Sequence, residues 1–343
     1  MQLSLSLTLL VTVSFSLILV PVQGVLGQTG NLSNEIEPLP LSIFSVRNIP
    51  SPNPFQLAQQ INFTLTKFGG SCPPEIAISI HGWNKDQNGA GEEFNRLQTS
   101  LRANNYTGPL IGFSWISNTD WQHAQHNAQD GGEELAKFIG EFKKPNRCPD
   151  TQIRILAHSL GAVVVESTLV GLHNNPISKN SSTNNSKVIT SVHLLGAAIN
   201  NKLIAKNTLF GDAIEHVTNG FYNLFSSKDD GLEFNKLYEN GILYLSQGVT
   251  IDDKVLNYHP LGLEGASNFP GNYIQRDVSG EIPALSDADG DGNIEECFEE
   301  YKPALEKGDN HCGYIGFREP FSHSLVDDGV VNLIVGDWKN VSP

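Results

Sequence analysis

Short, branched apolar runs alternate along this chain with longer stretches whose apolar residues recur at helical spacing. Glu75–His81 (EIAISIH), Leu110–Trp115, Ile153–Ala157, Val188–Leu195, Phe221–Phe225 and Tyr273–Val278 have the length and β-branching of strands. Helices are expected at about Glu92–Leu101, over Trp121–Phe142 with Leu135, Phe138 and Ile139 on one face, and again after Gly161. Leu41–Val46 and Ile61–Phe68 alternate enough to read as outer strands, and Asp327–Trp338 reads as a closing helix or a strand–helix pair. Strands that alternate with helices predict an α/β fold: a mostly parallel central sheet with helices on both faces.

The N-terminus breaks this rhythm. Leu3–Val20 is an uncharged Leu/Ser/Val/Thr run that meets Pro21 and then small residues, with Val25 and Gly27 in a small-x-small pattern. Residues 1–27 therefore read as a signal peptide, without the usual basic start. An uncleaved anchor is the alternative, because the run approaches spanning length. Residues 28–60 read as a Pro- and Asn-punctuated linker with an N-terminal edge segment, and 61–343 as the α/β domain.

One junction carries chemistry. The run Ile153–Ala157 stops at His158-Ser159-Leu160-Gly161 and resumes with helical composition. A strand, a sharp turn bearing a serine and a helix make the context of a nucleophile elbow. The turn needs small residues two places either side of the serine, and Ala157 and Gly161 supply them. Acyl transfer at Ser159 then requires a base, a carboxylate to orient it, and two amides for the oxyanion. The Leu160 amide is one donor, and the Trp83 amide, after the strand-ending His81-Gly82, is the natural second. The carboxylate should follow a strand two steps beyond the elbow strand. Asp229 and Asp230 sit just past Phe221–Phe225, and Asp229 is preferred with Asp230 as alternate. The base should come from a loop past the last strand, where His311 is preferred over His323.

Composition narrows the partners. A chain of 343 residues with 39% apolar and 17% charged residues is globular, and a net charge of −15 argues against nucleic acid and against adhesion to anionic membrane. Four cysteines, a single methionine and Asn-x-Ser/Thr sequons at Asn31, Asn62, Asn105, Asn180, Asn184 and Asn340 agree with a secreted or cell-surface glycoprotein.

The order IHGWNKD, LIGFSW, NRCPDTQIRILAHSLGA, SVHLLGAA, YNLFSSKDD and GDNHCGYIGFR resembles the α/β-hydrolase superfamily, in particular its lipase- and esterase-like serine hydrolases and a group of archaeal members of undefined substrate. The resemblance runs from about Cys72 to Trp338 and implies Ser159, Asp229 and His311 as the triad. In the resembled fold the strands after Cys72 and Cys148 are parallel neighbours, which implies a Cys72–Cys148 disulfide at the sheet edge away from the active site.

Cys297 and Cys312 would then pair, tying the His311 loop to the acidic run Ser286–Glu296. That run opens like a calcium loop, with oxygen donors at Asp287, Asp289, Asp291 and Asn293. Its twelfth position is Phe298, so Glu295, Glu296 or Glu299 would have to close the shell, and Glu296 is taken as ligand. The Ca²⁺ expected in this insertion at 286–299 is structural; no catalytic cofactor is expected. The reading is a secreted serine hydrolase that cleaves small-molecule or lipid esters through an acyl-enzyme, without stable membrane insertion once the signal is removed. Asn118–His126 and Tyr258–Phe269 are expected to line its pocket. A peptidase or acyltransferase on the same scaffold is one alternative; a non-catalytic, calcium-stabilised surface binding protein is the other.

Overall fold

The computed structural model describes residues 40–47, 52–174, 187–239, 258–282, 311–318 and 325–340. By internal contacts the chain divides into Met1–Glu37 and Pro38–Pro343, and all described residues belong to the second unit. They form an α/β fold in which strands and helices alternate as the hydrophobic pattern predicts. In order these are β1 (Leu41–Ser45), α1 (Pro54–Lys67), β2 (Glu75–Ile80), α2 (Gln87–Ala103), β3 (Leu110–Ser114), α3 (Trp121–Phe142), β4 (Gln152–His158) and α4 (Gly161–Asn174). Then come β5 (Ile189–Leu195), α5 (Leu209–Val217), β6 (Thr218–Phe225), α6 (Asp230–Glu239), β7 (Tyr273–Asp277), a small β8–β9 pair (Phe317–Arg318, Leu325–Asp327) and α7 (Val331–Asn340).

The main sheet has seven strands in the order β1-β3-β2-β4-β5-β6-β7, every neighbouring pair parallel. Parallel strands need crossovers, and both faces of such a sheet must be covered. Alternation along β2 shows how. Ile76, Ile78 and Ile80 belong to one apolar cluster with Leu57 of α1, Phe138 of α3, Leu169 of α4 and Ile214 of α5. Ala77 points the other way, into a second cluster with Leu97 of α2 and Val331, Ile334 and Trp338 of α7. The sheet is thus a layer between two helical layers.

The expected outer strand at Ile61–Phe68 is instead the second half of α1. Asn53 accepts hydrogen bonds from the Phe55 and Gln56 amides, Gln56 reaches back to the Asn53 N–H, and Pro54 opens the first turn. The true buried stripe is Leu57, Ile61 and Thr64, at helical spacing, while Phe63 faces solvent. The period-two alternation of Ile61, Phe63 and Leu65 was incidental, and the cap decided the element.

Strands β2 and β4 run side by side from Glu75↔Gln152 to Ile80↔Ala157. Just before their first paired residues, Cys72 and Cys148 form a disulfide with Cα atoms 5.4 Å apart, closing a 76-residue separation. Their far ends carry His81-Gly82-Trp83 and His158-Ser159. The bridge therefore fixes the register of these two strands from the opposite edge. Replacing both cysteines by serine should lower unfolding stability by about 2–4 kcal/mol. A denaturant midpoint that does not move would show that the strand pairing alone sets this register.

Candidate active site

Ser159 has a backbone φ of +54°, a left-handed conformation that side-chain-bearing residues adopt only when their surroundings impose it. Here the surroundings are explicit. Its N–H donates to the Leu195 carbonyl at the end of β5 (2.9 Å), and its carbonyl accepts from Ala162 and Ala198 (both 3.1 Å). Two residues on, a Cβ at Gly161 would come within 2.9 Å of the Ile80 and His81 carbonyls, so α4 can start this close to β2 only with glycine. Ala157, on the strand side of the turn, is fully buried and its methyl is accommodated. Among the described residues no acceptor is seated on the Leu160 N–H, which opens α4.

The structure brings the candidate base and carboxylate into contact. His311 Nδ1 lies 2.9 and 2.8 Å from the two Asp229 oxygens, and both residues are buried. A carboxylate at that nitrogen places the proton on Nδ1 and leaves Nε2 as the basic atom. Asp229 also accepts from the Leu232 amide (2.9 Å) and the Tyr314 hydroxyl (2.9 Å). Burial acts to lower the His311 pKa, but the Asp229 charge and hydrogen bond outweigh it, and the imidazole is held above its ordinary value.

Gly196 joins this pair to the elbow. It follows Leu195, the acceptor for Ser159, and has φ +54°. A Cβ there would lie 2.8 Å from Tyr314 Cε2, 3.0 Å from Asp229 Oδ2 and 3.1 Å from His311 Cε1. Nucleophile, base and acid candidates therefore gather at the same C-terminal edge of the sheet, over β4, β5 and β6.

The second oxyanion candidate sits against the same turn. A Cβ on Gly82 would be 2.9 Å from Ser159 Cβ, and Trp83 follows directly. His81 makes this turn rigid. Its Nδ1–H donates to the Gly82 carbonyl (2.9 Å), and its Nε2 accepts from the Trp115 N–H (3.2 Å). The His81 ring stacks on Trp115, centroids 5.4 Å apart and planes nearly parallel, so the HGW and FSW motifs are one unit. Burial pushes the His81 pKa down to about 4, which keeps it neutral. Arg47, just past β1, approaches His81 Nε2 (3.2 Å) and donates to the Lys85 carbonyl (2.7 Å), Ser114 Oγ (2.7 Å) and Asn118 Oδ1 (3.2 Å), lacing the two loops together.

His311 is also held by its backbone. Its N–H donates to Asp230 Oδ1 (3.1 Å), and its carbonyl accepts from His158 Nε2 (2.8 Å). Asp230, the alternate acid, thus touches the base through the main chain while Asp229 takes the ring. Burial, and then the Asp229 charge, raises the Asp230 pKa to about 6. Since a carbonyl only accepts, His158 carries its proton on Nε2, and its bare Nδ1 faces the buried Glu93 Oε1 at 3.7 Å. Burial pushes His158 down to about 4, so its ring is neutral.

Glu93, Arg47 and Tyr314 carried no sequence signal: each acts across 34 or more positions of chain, and nothing in the local pattern marks it. His81 and His158 were flagged only as members of the motifs they turn out to brace. Of the pocket residues anticipated, His123 lies on the solvent side of α3 and pairs with Asp120 (2.6 Å). His259 pairs with Glu264 (2.7 Å). The alternate base His323, the calcium-loop residues Asp287, Asp289, Asp291, Asn293 and Glu296, and Cys297 lie outside the described residues; Cys312 is disulfide-bonded. Among the described residues no helix is long and apolar enough to cross a membrane.

Residues 58–255 match a family model described as alpha/beta hydrolase of unknown function (DUF900). No curated protein matches the chain. Among solved structures, the catalytic core domain of acetyl xylan esterase from Trichoderma reesei is similar at 18% identity and a TM-score of 0.27, over 39% of this chain and 68% of that one. An esterase from Pyrobaculum calidifontis is similar at 11% identity and a TM-score of 0.29, over 60% of this chain and 68% of its own. Phospholipase PlaB from Legionella pneumophila, in complex with thio-NAD, is similar at 14% identity and a TM-score of 0.31, over 47% of this chain and 39% of that one.

The two carboxylates can be told apart by substitution. Asp230→Ala removes the acceptor for the His311 N–H and should destabilise the fold by about 1–3 kcal/mol, whereas Asp230→Asn keeps an oxygen there and should stay near wild type. Equal losses in the two variants, measured by denaturant unfolding, would show that the charge and not the hydrogen bond matters.

Proposed function

This chain belongs to the alpha/beta hydrolases of unknown function, and from that premise we propose that it is an exported serine hydrolase that cleaves carboxylic esters through an acyl-enzyme. One observation carries the reading: a serine in a left-handed backbone conformation shares its sheet edge with a buried, hydrogen-bonded His311–Asp229 pair. The Cys72–Cys148 disulfide and the apolar N-terminal run support export, because such bonds persist in oxidising compartments.

In this mechanism His311 Nε2 takes the Ser159 Oγ proton as Oγ bonds to the ester carbonyl carbon. The carbonyl electrons move onto oxygen, where the Trp83 and Leu160 N–H groups stabilise the oxyanion. The imidazolium then protonates the departing alkoxide as the carbon–oxygen bond breaks. Water, deprotonated by the same imidazole, attacks the acyl carbon; the acyl–Oγ bond breaks, the acid leaves, and the imidazolium returns its proton to Ser159 Oγ. Asp229 accepts from three donors, the Leu232 amide, the His311 ring and the Tyr314 hydroxyl, which hold it in place. Its task is to hold the ring's tautomer and to stabilise the imidazolium.

A fluorophosphonate probe should label the wild-type chain at pH 8 and fail to label Ser159→Ala; unlabelled wild type, or labelled Ser159→Ala, would sink the proposal. Asp229→Asn should cut kcat on p-nitrophenyl esters by about 10⁴-fold, the loss seen when a triad carboxylate becomes its amide.

Because the base must be neutral and its pKa is held above 6.5, kcat/KM should rise with pH along a limb centred above 6.5. Asp230 titrates near 6 and could contribute its own limb, so the profile should also be measured in Asp230→Asn. A limb that vanishes in that variant would show that it does not belong to His311.

A further inference from the structure

The far end of the nucleophile helix carries a cluster that the hydrolase chemistry does not use. His173 lies in the last turn of α4, and Asp212 and His216 stand one turn apart on α5. The apolar face of α5, Phe210, Ala213, Ile214 and Val217, is buried, which leaves Asp212 and His216 towards the α4 end and solvent. Asp212 Oδ2 is 3.0 Å from His173 Nε2, and its Oδ1 is 3.2 Å from His216 Nδ1. The two imidazoles tilt towards each other with centroids 5.5 Å apart. One donor atom from each of the three residues lies within 4.8 Å of the other two.

We propose that His173, Asp212 and His216 form a binding site for a divalent transition-metal ion, with Zn²⁺ as its expected occupant. Two imidazole nitrogens and one carboxylate oxygen are a zinc-type donor set, whereas Ca²⁺ and Mg²⁺ call for oxygen ligands throughout. Donors around a tetrahedral Zn²⁺ at about 2.0–2.2 Å lie a little over 3 Å apart. The 3.0 and 3.2 Å separations, each to a different Asp212 oxygen, are of that order, and one donor from each residue already lies within 4.8 Å of the others, so a small closure completes the shell.

Asp212 and His216 supply an i,i+4 pair on one helix face, so their spacing is set by the helix itself. The Asp212 carbonyl lies 2.8 Å from that same His216 Nδ1, so ligation through Nδ1 exchanges this local contact for the ion. His173 comes from a second helix, so the ion would be a cross-link and not a local chelate. Side-chain exposures of 24%, 47% and 60% for His173, Asp212 and His216 leave the remaining coordination position to water.

The site is structural. His173 is twelve residues along α4 from Gly161, about 18 Å at the helical rise, too far for the ion to touch the ester. It would pin the end of α4 to α5, the helix that runs directly into β6 and so into Asp229. The proposal does not rest on the esterase reading.

The test is calorimetric titration of the full chain with ZnCl₂ at pH 7.5, after chelator treatment and with excess Ca²⁺ present to fill all-oxygen sites. One Zn²⁺ should bind, raise the melting temperature, and bind more weakly at pH 5.5, where imidazoles protonate. Co²⁺ in its place should give visible d–d absorption. His173→Gln and His216→Gln, on different helices and both partly exposed, should each weaken binding by about tenfold or more while melting like wild type without metal. No binding, or binding that both variants leave unchanged, would overturn the assignment. Labelling of Ser159 by a fluorophosphonate should be the same with and without zinc; labelling that requires zinc would overturn the structural role.

Discussion

The close approach of α4 to the end of β2 is the constraint on which the rest of the site depends. Gly161 has no room for a methyl against the Ile80 and His81 carbonyls, and Gly82 has none against Ser159. Two glycines, one just past β2 and one opening α4, let the turn bearing the serine and the turn bearing Trp83 share one small volume. The left-handed backbone of Ser159 is the cost of that fit, of order 1–3 kcal/mol, and hydrogen bonds to Leu195, Ala162 and Ala198 hold it in place.

Around this junction the buried polar groups are arranged with little slack. The His311 ring is fixed by Asp229, its N–H by Asp230 and its carbonyl by His158. Two of these contacts come from the start of α6 and the third from the end of β4, so the loop that carries His311 is tied to both. Asp229 receives hydrogen bonds from an amide, a phenol and an imidazole, so this buried carboxylate is fully partnered. Two neutral histidines, His81 and His158, brace the oxyanion turn and the base loop without adding charge beside the nucleophile.

Much of this was legible in the chain because the α/β pattern writes its strands as short apolar runs and puts functional residues at their ends. Ile153–Ala157 followed by a small-x-Ser-x-Gly turn marked the strand–turn–helix junction at Ser159, and the order of strands left Asp229 or Asp230, and His311 or His323, as candidates downstream of it. What escaped was whatever depends on the third dimension. Ile61–Phe68 alternated like a strand, yet the capping box at Asn53 and Gln56 made it helix. Glu93 sits in an ordinary amphipathic helix, and only its burial beside His158 distinguishes it. Tyr314 looks like any loop aromatic until its hydroxyl is seen on Asp229. His173 and the Asp212–His216 pair are separated by a strand and a loop, so no spacing rule would have joined them.

Arg47 shows how far the candidate site reaches along the chain. From beyond the outermost strand it reaches across β3 to the His81 ring and to the loops after both β2 and β3. The family model begins at residue 58 and ends at 255, so it includes neither this guanidinium nor His311. A fragment trimmed to those limits would keep Ser159 and Asp229 yet lose His311 and the guanidinium that ties the His81-Gly82-Trp83 turn to its neighbours. The residues gathered here therefore extend past the family match at both ends.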